Sequence, residues 1–432
     1  MLSRLRHRYQ RFASRLRALP RWLVDRLLLL LLHRAPWLLR LSGALTRRLL
    51  PPRPQPWLLL DISTIRQKDD RTGIQRVVRA LTLEWLRHPP SGCRVMPVYA
   101  SPTGGYRHTR LISPGQPLCL AHDHAWPQEG APMRPHPGDR FLGLDLTLHL
   151  FPVQEARLLH WRGRGVAIHY VVYDLIPLLH PHFFEALLSH RFAQWMAALA
   201  RQADGLHCIS ATVAEELAAW LDHHPAPGHR RPRIDHFPLG ADIENSAPSR
   251  GLPAGHAELL QRMEQGTSYL MVGTIEPRKG HDQVLDAMEQ CWAQGDSTLL
   301  VIVGKPGWKT DALQQRLRRH PQAGRRLFWL QGVSDEYLER LYQAASGLIA
   351  ASWAEGYGLP LVEAQRRGVP VLARDIPVFR EVGGEQASYF RADSAQDLAS
   401  QLQCWQPSTT MTSAQQQTTW QQSAQALGKR LA

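Results

Sequence analysis

The sequence predicts an α/β protein of two doubly wound parallel-sheet domains behind a basic amphipathic helical extension. Three observations carry that prediction. From residue 57 onward, short apolar runs alternate with helical stretches, the pattern of parallel βαβ units. The 432 residues suffice for two or three domains with real cores. The formal charge is +14, and residues 1–50 hold 12 arginines and one acid, Asp25, so +11 of it sits in the extension. A basic terminal segment on a nearly neutral body points to a localised anionic partner and away from a nucleic-acid-binding body.

In the extension, Leu2, Leu5, Tyr9, Phe12, Leu16 and Leu19 recur at helical spacing with arginines between them. The leucine run Leu27–Leu32 is far shorter than the ~20 apolar residues a spanning helix needs, and no small-residue cleavage site follows it. The segment is therefore expected to lie on an anionic membrane surface, leucines in the acyl boundary and arginines among head groups. A basic helical pair packed on the body or on another protein is the alternative. Pro51–Pro56 reads as a stiff linker.

The first domain opens on the buried-type strand Trp57–Ser63, followed by a polar loop to Gly73 and a helix over Ile74–His88. Strands are expected at Cys93–Ala100, Arg140–Leu144, Gly165–Asp174, Gly205–Ile209 and Ile234–Pro238, with helices at Phe183–Ala203 and Thr212–Leu221. Residues 101–138, rich in Pro, Gly and His, read as an irregular insertion, and Leu239–Gly266 as a linker-like join. The second domain is more regular. Strands Tyr269–Gly273, Thr298–Gly304, Leu327–Gln331, Ser346–Ser352 and Val369–Ala373 alternate with helices Gly280–Gln294, Thr310–Arg319, Asp335–Ala345 and Pro360–Arg367. Gln396–Trp405 and Thr419–Leu431 are expected as terminal helices around a Ser/Thr/Gln segment.

The chemistry concentrates in Ala354-Glu355-Gly356-Tyr357-Gly358-Leu359-Pro360-Leu361-Val362-Glu363-Ala364. Glu355 falls in a strand-to-helix loop and Glu363 about one turn into the helix that Pro360 can open. Free N–H groups of that first turn favour an anion, and Gly356 and Gly358 let the backbone come close to a ligand. The crevice at the carboxyl ends of parallel strands is where open α/β sheets bind nucleotides. Val272-Gly273-Thr274-Ile275-Glu276-Pro277-Arg278-Lys279-Gly280 follows another buried strand, so Arg278 and Lys279 stand at the same sheet edge. Two cations there can hold a diphosphate and neutralise the charge of a departing one, in place of a metal. Taken singly, each stretch could be an ordinary solvated loop.

No GxGxxG follows a strand, and no GxxxxGK[ST] or GxSxG occurs, which disfavours a dinucleotide oxidoreductase, a P-loop enzyme and an α/β-hydrolase. The five cysteines form no CxxC pair and the 21 histidines no HExxH, so neither a metal site nor a disulfide framework is indicated and a cytosolic setting is the default.

These motifs together resemble a retaining, nucleotide-sugar-dependent glycosyltransferase of family 4, of the GT-B fold, whose signature is the Glu-x7-Glu pair. The likeness rests on Gly273…Glu276-Pro277-Arg278-Lys279-Gly280 and on Glu355 through Ala364. It extends to Gly304–Trp308, Gly332–Asp335, Gly368–Val371, Arg71–Arg76, Tyr173–Pro177, Ile209-Ser210 and Pro238–Asp242. The variant is most similar to bacterial O-antigen and exopolysaccharide mannosyl- or rhamnosyltransferases.

The resemblance implies two Rossmann-like domains facing a central cleft. The expected division is an extension and linker at 1–56, an acceptor domain at 57–240, a nucleotide-sugar domain at 241–405 and a tail at 406–432 returning to the first domain. It implies that Glu363 takes the donor ribose and that Glu355, with the backbone of Gly356, Tyr357, Gly358 and Leu359, holds the transferred sugar. Arg278 and Lys279 would bind the diphosphate beside Gly273 and Thr274, Val333 would flank the base, and Gly73 would face acceptor and phosphate. Many relatives carry Arg where this chain has Thr274, and His where it has Tyr173 followed by Asp174, so the phosphate cluster has one cation fewer and Asp174 or Tyr173 takes a different part. The implied reaction moves a hexose, mannose from GDP-mannose being one case, from a GDP-, UDP- or ADP-sugar to a lipid-linked glycan at the inner face of the cytoplasmic membrane, without cofactor or metal. A nucleotide-sugar epimerase or sucrose-type synthase of the same fold, and a non-catalytic scaffold of a polysaccharide assembly complex, stay open as alternatives.

Overall fold

The computed structural model describes residues 51–101, 105–118, 126–226, 228, 230–406 and 418–431. The expected membrane-surface helices of residues 1–50 lie outside them, as does the Ser/Thr/Gln segment 407–417.

The first sheet grows from β1 (Trp57–Asp61), β2 (Arg94–Ala100), β3 (Tyr106–His108), β6 (Arg140–Gly143), β7 (Ala167–Val172), β8 (Gly205–Cys208) and β9 (Arg233–His236). Its order is β3-β2-β1-β6-β7-β8-β9, parallel except for the β2–β3 edge pair. Between β3 and β6 lies the small hairpin β4 (Leu111–Ser113) and β5 (Gln116–Pro117). The helices are α1 (Ser63–Gln67), α2 (Gly73–Arg87), α3 (Phe151–Gly163), α4 (Ile176–Leu179), α5 (Ala186–Gln202) and α6 (Ala211–His223). Thr72 starts α2 with a capping box: its hydroxyl accepts from the Gln75 N–H while the Gln75 side chain accepts from the Thr72 N–H.

The second domain begins with α7 (His256–Gln265) and β10 (Ser268–Val272) and continues with α8 (His281–Ala293), β11 (Leu299–Val303), α9 (Asp311–Arg319) and β12 (Leu327–Leu330). It closes with α10 (Asp335–Ala344), β13 (Gly347–Ala350), α11 (Leu359–Arg366), β14 (Val371–Arg374), α12 (Pro377–Gly383), β15 (Ala387–Phe390) and α13 (Ala395–Cys404). The sheet is wholly parallel in the order β12-β11-β10-β13-β14-β15. That is the doubly wound order whose direction reverses between β10 and β13, the switch point at which such sheets bind ligands. The loops bearing Arg278-Lys279 and Glu355 leave these two strands. The last helix, α14 (Trp420–Arg430), crosses back to α2: Trp85 Nε1 donates to the Ala424 carbonyl at 3.1 Å, and the Trp420 N–H to Asp242 at 2.7 Å.

Several expectations are corrected. The join Leu239–Gly266 contains α7, whose Leu259 and Met263 are buried against the second domain. The irregular stretch 101–138 supplies the antiparallel edge strand β3 and the hairpin. Helices α3, α4 and α12 and strand β15 stand where no element was expected. The expected helix Phe183–Ala203 begins only at Ala186, after a single 3-10 turn at Pro181–Phe183. Helix α11 starts at Leu359, so Pro360 is its second residue.

Candidate active site

The carboxyl ends of the two sheets face each other, and loops and helix starts of both domains meet there. After β10 the chain turns through Glu276-Pro277-Arg278-Lys279-Gly280. Gly280 ends this turn at φ +68°, where a Cβ would lie 2.5 Å from the Ala351 carbonyl oxygen, so only glycine lets the turn close on the loop after β13. In that second loop the carboxylate of Glu355 binds Lys279 Nζ, Arg278 Nη1 at 2.9 Å and the Ser352 hydroxyl at 2.7 Å. Arg278 also pairs with Glu276 at 2.9 Å through Nε and donates to the Ala354 carbonyl at 3.0 Å. Arg278, Lys279 and Glu355 thus form one largely buried cluster.

The charges shift one another. Burial pushes Glu355 up, but Lys279 and then Arg278 pull it down to about 2, so it is ionised throughout the physiological range. His281, at the start of α8 just behind the cations, is 2% exposed and neutral: burial, then Lys279 and Arg278, hold it at about 3. Its Nδ1 has no protein partner, and the ring lines a small cavity beneath Lys279, Ser352, Glu355 and Gly358.

The first domain approaches from the other side. A Cβ on Gly356 would lie 2.0 Å from the Tyr173 carbonyl oxygen, and the Ser210 hydroxyl donates to the Gly356 carbonyl at 2.8 Å. Asp174, half-buried after β7, is raised by burial, an effect that Arg278 offsets only in part, and its Cβ lies 3.1 Å from the place a Cβ on Gly356 would occupy. Further along the cleft, Glu381 of α12 accepts from the Ala211 and Thr212 N–H groups at the start of α6, at 2.6 and 2.9 Å. The Trp308 indole donates to the Phe183 carbonyl at 2.9 Å. The cleft is closed.

Glu363 lies in α11, its side chain 3% exposed. One carboxylate oxygen takes the Arg76 guanidinium from α2 and the other the Tyr342 hydroxyl at 3.0 Å. Arg76 also reaches Asp335 at the start of α10. Gly73 sits at the first position of α2, where the nearest side chain is Leu359, 3.6 Å from the place a Cβ would occupy.

Arg278, Lys279, Glu355, Gly356, Asp174, Gly358, Leu359 and Gly73 therefore meet at the cleft. Gly273 and Thr274 stand at the end of β10 beside them, the Gly273 Cα facing the Lys279 stem. Val333 precedes α10 and packs on the hydrophobic core. Two side chains depart from expectation. The Tyr173 hydroxyl is buried and donates to the Leu144 carbonyl at 2.7 Å, so its ring belongs to the first domain's core and only its backbone reaches the cleft. The Tyr357 hydroxyl donates to the Leu239 carbonyl at 3.3 Å, which leaves only its backbone for a ligand. Arg76, Tyr342, Ser352 and His281 were not singled out from the sequence. Arg76 stood in the quoted Arg71–Arg76 motif without a part assigned to it. The other three became visible only when strand ends and helix faces were brought together.

Residues 260–406 match the family model described as Glycosyl transferases group 1. The chain is 40% identical over 382 residues to the serotype-specific mannosyltransferase WbdA of Escherichia coli, covering 87% of this chain and 45% of that protein. It is 28% identical over 231 residues to the O-antigen chain mannosyltransferase RfbU of Salmonella typhimurium, covering 54% of this chain and 58% of that one. The chain thus spans about half the length of the curated relatives it matches. Among solved structures, Anabaena HepE in complex with UDP and glucose superposes with a TM-score of 0.53 at 17% identity, over 87% of this chain and 95% of that one. The two-domain architecture is the GT-B fold, and residues 260–406 form a glycosyltransferase group 1 domain.

Proposed function

We propose that the chain is a retaining glycosyltransferase that moves a hexose from a nucleotide sugar to a glycan acceptor in O-antigen or related cell-surface polysaccharide synthesis. The observation that carries this reading is the buried cluster of Arg278, Lys279 and Glu355 at the switch point of the second sheet, closed over by Asp174 and Gly73 of the first domain. The mannosyltransferase names of the two relatives favour mannose as the sugar and GDP-mannose as the donor. UDP- and ADP-sugars are the competing donors.

In this reading Arg278 and Lys279 take the diphosphate and the charge that grows as it leaves. That task falls to them and not to a metal. Glu355 takes sugar hydroxyls, Glu363 takes the ribose, and the backbone from Gly356 to Leu359 lines the sugar. The acceptor hydroxyl attacks the anomeric carbon on the face from which the diphosphate departs. The leaving phosphate oxygen accepts the hydroxyl proton, so the configuration is retained without a covalent glycosyl-enzyme. The closed cleft supplies orientation and keeps water out. The acceptor is assigned as lipid-linked, with residues 1–50 resting on the anionic inner face of the cytoplasmic membrane. Among the described residues no helix is long and apolar enough to cross a membrane.

The test is transfer of labelled mannose from GDP-mannose to a lipid-linked mannan acceptor, with the anomeric configuration of the product read by NMR. The expected product keeps the donor's configuration, and Lys279→Ala lowers turnover by about 100-fold or more. Inverted product, or a Lys279→Ala variant with full turnover, overturns the reading. Deleting residues 1–50 is expected to release the chain from anionic vesicles while transfer to a soluble acceptor survives; vesicle binding that persists defeats the membrane assignment.

A further inference from the structure

Arg76 is a cation in an unfavourable place. It closes the first turn of α2, where the helix dipole disfavours positive charge and where no acid stands in compensation. Its partners come instead from the opposite domain: Glu363 of α11 and Asp335 of α10. Asp335 is itself held by the Ser249 N–H and hydroxyl, both at 2.8 Å. Arg71, just before the N-cap Thr72, lies at φ +51° and points a second guanidinium toward Asp335 at 3.8 Å. Strained backbone and misplaced charge at one helix start mark a segment shaped for something other than its own domain.

The acceptor arithmetic at Glu363 says what that is. A carboxylate has about two acceptor positions on each oxygen. Arg76 takes one on Oε1 and Tyr342 takes one on Oε2. One position remains on each oxygen, the pair of acceptors that a vicinal diol needs. We infer that Arg76 is a positioning residue for the ribose of the nucleotide donor: it holds Glu363 so that both carboxylate oxygens face the 2′- and 3′-hydroxyls, and it does so only while the domains are docked. Recognition of a ribonucleotide is thereby built by both domains, although the anchor itself lies in the second. This rests on the reading of Glu363 as the ribose anchor.

The test titrates GDP, UDP and ADP into the full chain, then compares the nucleotide that binds with its 2′-deoxy counterpart. The unaltered chain is expected to prefer the ribonucleotide by about 10-fold or more, because a site built to pair a hydroxyl rejects a ligand lacking it. Arg76→Gln should shrink that preference to less than about 3-fold while the chain keeps its melting transition, and Arg76→Lys, which retains charge but not the two-armed fork, should fall between. If Arg76→Gln does not fold, Arg76→Lys carries the comparison. A preference that survives in these variants, or tighter ribonucleotide binding once the guanidinium is gone, overturns the inference. Absence of any preference in the unaltered chain, its survival in Glu363→Gln, or binding of none of the three nucleotides defeats the ribose reading itself, whatever Arg76 does.

Discussion

At Glu355, burial and charge pull in opposite directions, and charge prevails. The carboxylate answers two cations at once, so removing it leaves Arg278 and Lys279 buried side by side, with Glu276 on Arg278 and the more distant Asp174 left to offset them. Breaking a buried pair on one side costs on the order of 3–5 kcal/mol. Glu355→Gln is therefore expected to lower unfolding stability by about that much at pH 7, measured in urea. The folded value of about 2 lies below the ordinary glutamate range, so the contribution is fully present above that range and disappears as pH falls toward 2. The gap between the two proteins should narrow on acidification; a gap that stays constant from pH 7 to pH 3 would show that the ion pairs do not supply it. Asp145 has the opposite sign. Burial raises it to about 7, and neighbouring Asp61 stands at about 6, so the folded chain binds protons there that the unfolded chain has released. Stability from this pair declines as pH rises from about 4 to 7. In Asp145→Asn that decline should be shallower, which urea titrations at pH 4.5 and 7.5 would register.

The elements divide by how far their causes lie along the chain. Strands β10, β11 and β13 and the loops behind them were legible because each is a buried apolar run followed by glycine and charge, all local signals. Helix α7 was missed because His256–Gln265 is polar on most sides and declares itself only through Leu259 and Met263. Helix α3 hid because its N-cap is Leu150, which has no side chain that can cap a helix. At the site, Glu355, Arg278 and Lys279 could be read from motif and strand position. The burial of Tyr173 could not, because its hydroxyl is claimed by the Leu144 carbonyl just past the end of β6, and Arg76 could not, because its partners lie 287 and 259 residues away. Helix α14 makes the same point energetically. Trp420 is 1% exposed, and a Cβ on Gly240 would come within 2.5 Å of its backbone nitrogen. Trp420→Ala should cost about 3–5 kcal/mol through the cavity it leaves, whereas Thr419→Ala, which removes only the N-cap of the same helix, should cost about 1 kcal/mol. Equal losses for the two would mean that the helix is held by its cap and not by its seat on α2.

At the scale of the whole molecule, the closed cleft is maintained by contacts that a single methyl group can oppose. Gly356 is where the loop carrying Glu355 meets the end of β7, and a Cβ there would lie 2.0 Å from the Tyr173 carbonyl oxygen, a backbone atom that cannot swing aside. The Ser210 hydroxyl fixes the same peptide from the first domain at 2.8 Å. Gly356→Ala leaves every charged group of the site in place, yet it forces the two sheet edges apart by a distance of the order of an ångström. Misplacement of that size between reacting groups costs roughly 100-fold in rate. The second domain keeps Arg278, Lys279 and Glu355 on its own loops, so diphosphate binding should weaken far less than turnover does. The expected result is a larger radius of gyration in solution scattering with nucleotide bound, a turnover number reduced by about 100-fold, and a nucleotide Kd within about 10-fold of the unaltered chain. Turnover and compactness both unchanged would mean that the transfer step does not use the docked arrangement. A loss confined to nucleotide binding would place the effect of Gly356 within the donor site instead of between the domains.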